Sequence, residues 1–430
     1  MNRRSAIILA ALLMPLAQAA GAATFIQAGN LIDGKADAPL GPHTIVVDEG
    51  RIVRVAAGKV APGAGDTLID LSGHSVMPGL MDMHTHLSSE SGPASYTDPF
   101  ALGPADFAYK IEKYARVTLM AGFTLVRDLG DAYGVSIALR KAIDRGDVVG
   151  PHIFTSGAPI ASTGGHGDPT NGISPALGLK TPGATEGVVD SADEARKAVR
   201  QRYKDGADLI KITATGGVMS LAKNSQNAQF TPDELAAIVA TARDYGMHVA
   251  AHAHGLDGLR RAVAAGVSTI EHGTYLDDET MRQMKTKGIY LVPTLMAGDW
   301  ITEKAKTPGA LPDVVRPKAA AIGPRMSGTF ARAYRLGVPI LFGTDSGVSA
   351  HGDNAREFEL MVAAGMPPMA AIRAATSEPA KFLGIADRQG SIAAGMAADI
   401  VAVPGNPVED IALMRKVDFV MIGGKIVKQP

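Results

Sequence analysis

The 430-residue chain contains no cysteine. Disulfides, a lipid-anchoring cysteine, cysteine-type zinc sites and thiol nucleophiles are excluded together, so any metal has to be held by His, Asp, Glu or Lys. An excess of charge of one sign is missing too. Lys and Arg number 42 against 43 Asp and Glu, a net charge of -1. That leaves no electrostatic footprint for nucleic acid or an anionic membrane, and a small neutral or mildly charged substrate fits better. The chain carries no internal repeat and no low-complexity tract. Its 46% apolar and 20% charged residues are ordinary globular composition, and the length suffices for one large domain and a small one. The apolar run at 6–16 is too short to cross roughly 30 Å of hydrocarbon. With Arg3 and Arg4 before it and small residues at 17–22 after it, residues 1–22 read as a cleaved signal peptide. The expectation is an exported protein, periplasmic or secreted, with no stable membrane span after cleavage. The two arginines leave Sec and twin-arginine export both open.

Residues 23–76 read as short strands punctuated by turns, for example 44–47, a turn at Asp48, Glu49 and Gly50, then 51–55. Over 77–389 the pattern changes to apolar strand-like runs, each followed by a helical stretch. Eight such runs stand at 79–83, 124–127, 152–156, 209–213, 248–251, 268–271, 290–294 and 339–343. The fold class is α/β, and eight βα units predict a (β/α)8 TIM-type barrel. Helix starts are legible, as where Thr231 and Pro232 precede Leu235. Residues 390–430 return to short strands with a hairpin turn at Gly423 and Gly424. This tail is expected to pair with 23–76 as one small discontinuous β-sandwich domain.

Polar residues recur at the C-terminal ends of the strand-like runs, where barrels of this type place their sites. His84 and His86 lie two apart, so both side chains point to one face. Lys211 sits between Ile210 and Ile212, where an unpaired ammonium is costly and needs a partner such as Asp208 or Asp128, or a changed charge. His252, His272 and Asp345 end the fifth, sixth and eighth runs. Lone histidines are commonly structural, and His43, His74, His152 and His248 are read that way. Four histidines, a lysine and an aspartate on one rim point instead to a metal site, with zinc first and manganese, cobalt or nickel as alternatives.

The stretch from Val76 to His86, the Lys211 strand, the ends at His252, His272 and Asp345, and the tail Gly390, Ser391, Ile392 with Gly395, Ala398 and Asp399 together resemble the amidohydrolase superfamily. The resemblance covers nearly the whole chain after residue 22. It implies two divalent metal ions: His84 and His86 bind the more buried one with Asp345, and His252 and His272 bind the second. Lys211, N6-carboxylated by carbon dioxide, bridges both. Carboxylation turns an unfavourable buried ammonium into an anionic two-oxygen ligand, which accounts for the apolar flanks. The run 162–167 and the run His351, Gly352, Asp353, Asn354 with Glu357 resemble the imidazolonepropionase-related branch that contains Xaa-Pro dipeptidases and carboxypeptidase-like enzymes. The sequence is also similar to ochratoxin-degrading amidohydrolases.

The implied chemistry is metal-assisted hydrolysis of a dipeptide or N-acyl amino acid, ochratoxin A included, with release of the C-terminal amino acid. Two metals bring a bridging water to a pKa near 7. Asp345 takes its proton and passes it to the leaving amine. His254, on the face of His252, is placed to meet the carbonyl or oxyanion. His166, His351, Ser88 and Tyr275 are candidate substrate contacts, with pocket-wall roles as the plainer alternative, and Ser89 lines the same loop. The resemblance further implies a homo-oligomer. A cyclic-amide hydrolase or a deaminase is the alternative enzyme, and a non-catalytic metal-binding protein a third reading. Single-metal deaminases of this type do not require the strand-four lysine, so Lys211 favours the two-metal side without excluding cyclic amides.

Overall fold

The computed structural model describes residues 22–430 apart from Pro93 and Lys223. The expected signal peptide, but for its last residue, lies outside the described residues. Fourteen strands are formed there: β1 (Thr24–Leu31), β2 (His43–Asp48), β3 (Arg51–Ala57), β4 (Thr67–Pro78), β5 (Leu80–Thr85), β6 (Phe123–Asp128), β7 (His152–Thr155), β8 (Leu209–Thr213), β9 (His248–Ala253), β10 (Thr269–His272), β11 (Tyr290–Val292), β12 (Ile400–Pro404), β13 (Phe419–Ile422) and β14 (Lys425–Lys428). Between and after the central strands run the helices α1 (Asp98–Ala101), α2 (Pro104–Met120), α3 (Val135–Asp144), α4 (Ala192–Asp205), α5 (Pro232–Asp244), α6 (Leu256–Ala265), α7 (Asp278–Lys287), α8 (Leu295–Ala305), α9 (Arg316–Leu336), α10 (Arg356–Ala363), α11 (Pro368–Ala374) and α12 (Ser377–Phe382). No helix among the described residues is long and apolar enough to cross a membrane.

Strands from both ends of the chain share one sheet, ordered β14-β13-β12-β4-β1-β2-β3. The two groups of strands expected to pair are thus joined in one seven-stranded hydrogen-bonded order. The reason is β4, whose 12 residues serve two partners. It runs parallel to β1 from the pair Thr24 and Thr67, and its last residues lie antiparallel to β12, Pro78 opposite Ile400. The predicted turns are present: Glu49 and Gly50 have φ of 44° and 78°, Gly423 and Gly424 of 53° and 77°. Left-handed pairs of this kind match the twist of hairpin strands. The side chains of Ile26, Ile45, Leu71, Ile400 and Phe419 fill the sheet's own core with Ile392.

The central strands are parallel, in the orders β5-β6-β7 and β8-β9-β10-β11. Backbone bonds join the two groups, Asp208 N to Thr155 O at 2.8 Å and Ile160 N to Lys211 O at 2.8 Å. The eighth run forms no regular strand. Pro339 has no N–H to give, and the Phe342 N–H goes to Ala374 O at the end of α11, so the ladder is interrupted. The segment still reaches both neighbours: Leu341 N donates to Leu291 O in β11, and Met83 N in β5 donates to Phe342 O. At the start of α5, Thr231 is the N-cap with Pro232 in the first turn, and Glu234 reaches back to accept from Thr231 N at 2.8 Å.

Asp399 ties the sheet to the parallel strands. Its Oδ1 accepts from Gly423 N at 2.7 Å and its Oδ2 from Gln389 Nε2 at 2.6 Å. The same Oδ2 lies 3.2 Å from His152 Nε2 at the start of β7. Burial works against charge on the His152 ring, but the carboxylate outweighs it and holds the imidazolium above its ordinary range. A raised histidine pKa stabilises fully below the unfolded value near 6.5 and is lost as pH rises through the folded value. Asp399 itself is depressed, burial opposing the contacts with His152 that lower it. Its contribution is therefore lost only in acid. We expect Asp399→Asn to lower Tm, and by more at about pH 6 than at about pH 9. A pH-independent difference in thermal melts would contradict the pairing.

Candidate metal centre

The ends of β5, β9, β10 and the eighth segment converge on a cavity of about 1450 Å³ lined by His84, His86, Lys211, His252, His272 and Asp345. His84 Nε2 and His86 Nε2 lie 3.4 and 3.3 Å from the same oxygen, Asp345 Oδ1. Lys211 Nζ is 3.5 Å from His84 Nε2 and makes no ion pair among the described residues. The alternative partners are otherwise engaged: Asp208 pairs with Arg140, and Asp128 accepts from Leu87 N at 2.7 Å. Potential ligand atoms of His84, His272 and Asp345 lie within 4.8 Å of one another, as do those of His252, His254 and His272. His272 thus stands between two groups. The rings of His252 and His254 approach His272 at 4.7 and 4.9 Å.

Each imidazole is fixed from behind. His84 Nδ1 meets Glu271 Oε2 at 2.9 Å, His86 Nδ1 the Gly130 carbonyl at 3.0 Å, and His272 Nδ1 the Thr294 hydroxyl at 2.6 Å. His254 Nδ1 meets Thr274 Oγ1 at 2.7 Å. His252 is turned the other way, with Nε2 3.2 Å from Gly216 O. Holding one ring nitrogen by an outer partner sets the tautomer and aims the other nitrogen, the arrangement that metal-binding histidines require. None of these outer partners was expected from the sequence. Glu271 and His272 are consecutive and should point to opposite faces of β10. His272 has φ of 70°, and this turn brings both side chains to His84.

Burial, crowding by the other rings and the Lys211 charge hold His252 and His272 well below the ordinary histidine range. His84 is lowered to about 4 by burial and Lys211, and His254 to about 3 by burial and its neighbours. Burial also lowers Lys211 to about 8 against the pull of Glu271 and Asp345. Burial works to raise Asp345, but the His84 and His86 rings outweigh it and hold the carboxyl at about 2. His86 is the exception. Burial disfavours its charge, yet the hydrogen bond that its ring donates to Asp345 raises it. His84, His252 and His272 as neutral imidazoles facing an ionised Asp345 are a donor set that divalent ions take without displacing protons from those four groups, so these residues fit a metal.

The backbone beneath is pinned by buried acids. Asp82 Oδ1 accepts from His84 N at 3.0 Å and Thr344 N at 3.1 Å, and its Oδ2 accepts from Asn354 Nδ2 at 2.8 Å. Glu357 accepts from Leu295 N and Met296 N at 2.9 and 2.6 Å and so caps α8 just after Thr294. Of the two residues singled out in the sequence, Asn354 acts here through the Asp82 carboxylate and Glu357 through the backbone of α8.

The other expected contacts divide. His166 and Ser88 line the cavity, and so does Ser89. The His166 ring lies 4.4 Å from that of His252, with Nδ1 at 2.5 Å from Ser220 Oγ. Burial lowers it to about 4. His351 is not among the lining residues. It stacks on Tyr114 at 4.5 Å, and its Nε2 is 2.8 Å from Ser89 O, beneath the loop that carries Ser88. Tyr275 is also outside the lining, with the Arg325 guanidinium 5.3 Å from its ring.

The sequence pattern described as the amidohydrolase family matches residues 75–427. The ochratoxinase of Aspergillus niger is 34% identical over 426 residues, 95% of this chain and 87% of its own length. Among solved structures, a Xaa-Pro dipeptidase with methionine bound in its active site is 48% identical with a TM-score of 0.92, covering 95% of this chain and 100% of that one. A prolidase complexed with N-methylphosphonate-L-proline is 32% identical with a TM-score of 0.86 and the same coverage.

Two substitutions test the support behind the rings. Glu271→Gln leaves Arg127 buried without its counter-charge and is expected to cost about 3–5 kcal/mol in denaturant unfolding; a loss under about 1 kcal/mol would show that the pair is dispensable. Thr294→Val keeps the shape but frees His272 Nδ1. Zinc affinity, read by competition with a chromogenic chelator, should fall about 10–100-fold.

Proposed function

The chain belongs to the amidohydrolase family and is a hydrolytic enzyme acting on C–N bonds, and we propose that it is a two-metal amide hydrolase that releases the C-terminal amino acid of a dipeptide or N-acyl amino acid. The observation that carries this reading is the convergence of His84, His86, His252, His272, Asp345 and the ion-pair-free Lys211 on one cavity. A site for deamination with one metal has no need of that lysine. The methionine in the dipeptidase relative's active site and the proline analogue in the prolidase relative support an amino acid as the leaving half. The ochratoxinase relative supports ochratoxin A as a member of the substrate panel.

In this reading His84, His86 and Asp345 would hold one ion and His252 and His272 the other, and Lys211, once carboxylated, would add an anionic oxygen ligand. The bound ions supply an acidified water and polarise the scissile carbonyl. Asp345, already ionised, receives the proton at a carboxylate oxygen and returns it to the leaving nitrogen. His254, neutral and held at Nδ1 by Thr274, presents Nε2 to the carbonyl oxygen in the tautomer where the Thr274 hydroxyl donates. Its distance to His252 and His272 equally suits a ligand role. His166 and Ser88 border the space left for substrate. The central segments are read as one closed (β/α)8 barrel over 77–389, supported by the bonds from 339–343 to both β11 and β5.

Purified protein should release free amino acid from N-acyl amino acids, Xaa-Pro dipeptides or ochratoxin A. Chelation should abolish turnover and zinc restore it. Asp345→Asn should lower kcat about 10²–10⁴-fold with metal still bound. Metal-dependent opening of cyclic amides with no amino-acid release would replace this reading with the cyclic-amide one. Full turnover by Asp345→Asn would remove Asp345 from proton transfer.

A further inference from the structure

The cavity has two unlike ends. Toward the long loops it is open: Phe100 and Tyr133 are each 58% exposed and Leu179 52%. A second part of the lining comes from α8, α9 and the loop after β8: Val218, Ala297, Gly298, Ile301, Ile322 and Met326. Ile301, Ile322 and Met326 are 3–4% exposed, so this lobe is closed, and none of these side chains carries charge.

One face of α9 builds the lobe. Lys318, Ile322, Met326 and Thr329 follow one another at helical spacing. Ile322 and Met326 form the floor. Lys318 reaches across, and its Nζ donates to the carbonyls of Ser220 and Ala222 at 2.7 Å each and of Gly217 at 3.4 Å. Those three bonds hold the roof loop, which carries Val218 and also Ser220, the partner of His166. At the far end Thr329 Oγ1 donates to Thr274 O at 2.8 Å, and the Thr274 hydroxyl holds His254. The helices meet closely through two glycines. A Cβ on Gly298 would lie 2.8 Å from Met326 Sδ, and one on Gly323 2.8 Å from Gly298 O.

We propose that this lobe is the subsite for the side chain of the released amino acid, that it takes bulky apolar side chains and rejects charged ones, and that Lys318 is its positioning residue. The Lys318 ammonium that holds the roof is occupied by three carbonyls, so a charged side chain entering the lobe would lose water and gain no partner from it. The methionine on its floor adapts to different apolar shapes. The open end is left for the rest of the substrate. This inference rests on the amino-acid-releasing reading above.

The test uses the zinc-loaded full chain with N-acetyl derivatives of methionine, leucine, phenylalanine, lysine and glutamate, and with the five free amino acids as inhibitors. The wild type should favour the apolar three by at least about tenfold in kcat/KM and in inhibition. Met326→Ala should shift the phenylalanine-to-leucine ratio about tenfold toward phenylalanine, and Ile322→Val should move it the same way by less. Lys318→Met should raise KM by about tenfold more than it lowers kcat, at unchanged zinc content, with Lys318→Arg recovering part of the loss. Turnover by the wild type with ratios unmoved within about twofold in both lobe variants would overturn the subsite while leaving amide hydrolysis standing. Absence of turnover on all five, with no inhibition by any free amino acid, would overturn the amino-acid-releasing reading itself and the subsite with it.

Discussion

An ion pair out of reach of water, Arg127 with Glu271, sets the geometry on which the site depends. The two side chains are 1% and 0% exposed, with Nη2 at 2.8 Å from Oε1. Such a pair loses several kcal/mol of hydration per charge and is tolerable only when every remaining donor and acceptor is used. Here the partners come from three of the parallel strands. Arg127 Nε donates to Met83 O at 2.6 Å and Nη1 to Thr269 Oγ1 at 3.2 Å, while the free carboxylate oxygen takes His84 Nδ1. β5, β6 and β10 are locked together by one guanidinium, and the first imidazole of the site is oriented by the charge that guanidinium retains.

Backbone conformation supplies the second constraint. His272, Thr294 and Asp345 have φ of 70°, 49° and 58°, at the ends of the sixth, seventh and eighth segments. Left-handed backbone costs about 1–3 kcal/mol at a residue with a side chain and persists only where the surroundings over-determine it. The surroundings do so here: Thr294 holds His272, Glu357 caps the helix that follows Thr294, and Asp345 N donates to His84 O at 2.8 Å. Each turn swings a side chain inward that a regular strand would have sent elsewhere.

This explains what was legible in the sequence and what was not. The cavity-facing histidines, Lys211 and Asp345 could be placed because polar residues at the ends of apolar runs stand out, and His-x-His spacing fixes a shared face. Glu271 was hidden by the same alternation rule, which His272 breaks. The carbonyls of Gly130 and Gly216 and the hydroxyls of Thr274 and Thr294 carry no signal of their own, since any residue offers a carbonyl and threonines are common in strands. His351 and Tyr275 looked like contacts because they follow strand ends, but chain proximity to a rim does not decide which way a loop side chain turns. The eighth run had the right composition for a strand, and Pro339 with the diverted Phe342 N–H interrupted its ladder.

The long strand β4 gives the molecule an order of assembly. It can complete its pairing with β1 as soon as residue 78 exists, but the edge that meets β12 stays open until the chain has been made through Pro404. Contacts this distant along the chain carry a large loop-closure entropy and form late. Until then an unpaired strand edge lies beside the first segment of the candidate metal site, a surface prone to pairing with another chain. Strand β12 is thus an intramolecular gatekeeper against aggregation: a chain that stops short of it keeps every candidate ligand from His84 to Asp345 but leaves this edge of β4 uncovered while it folds.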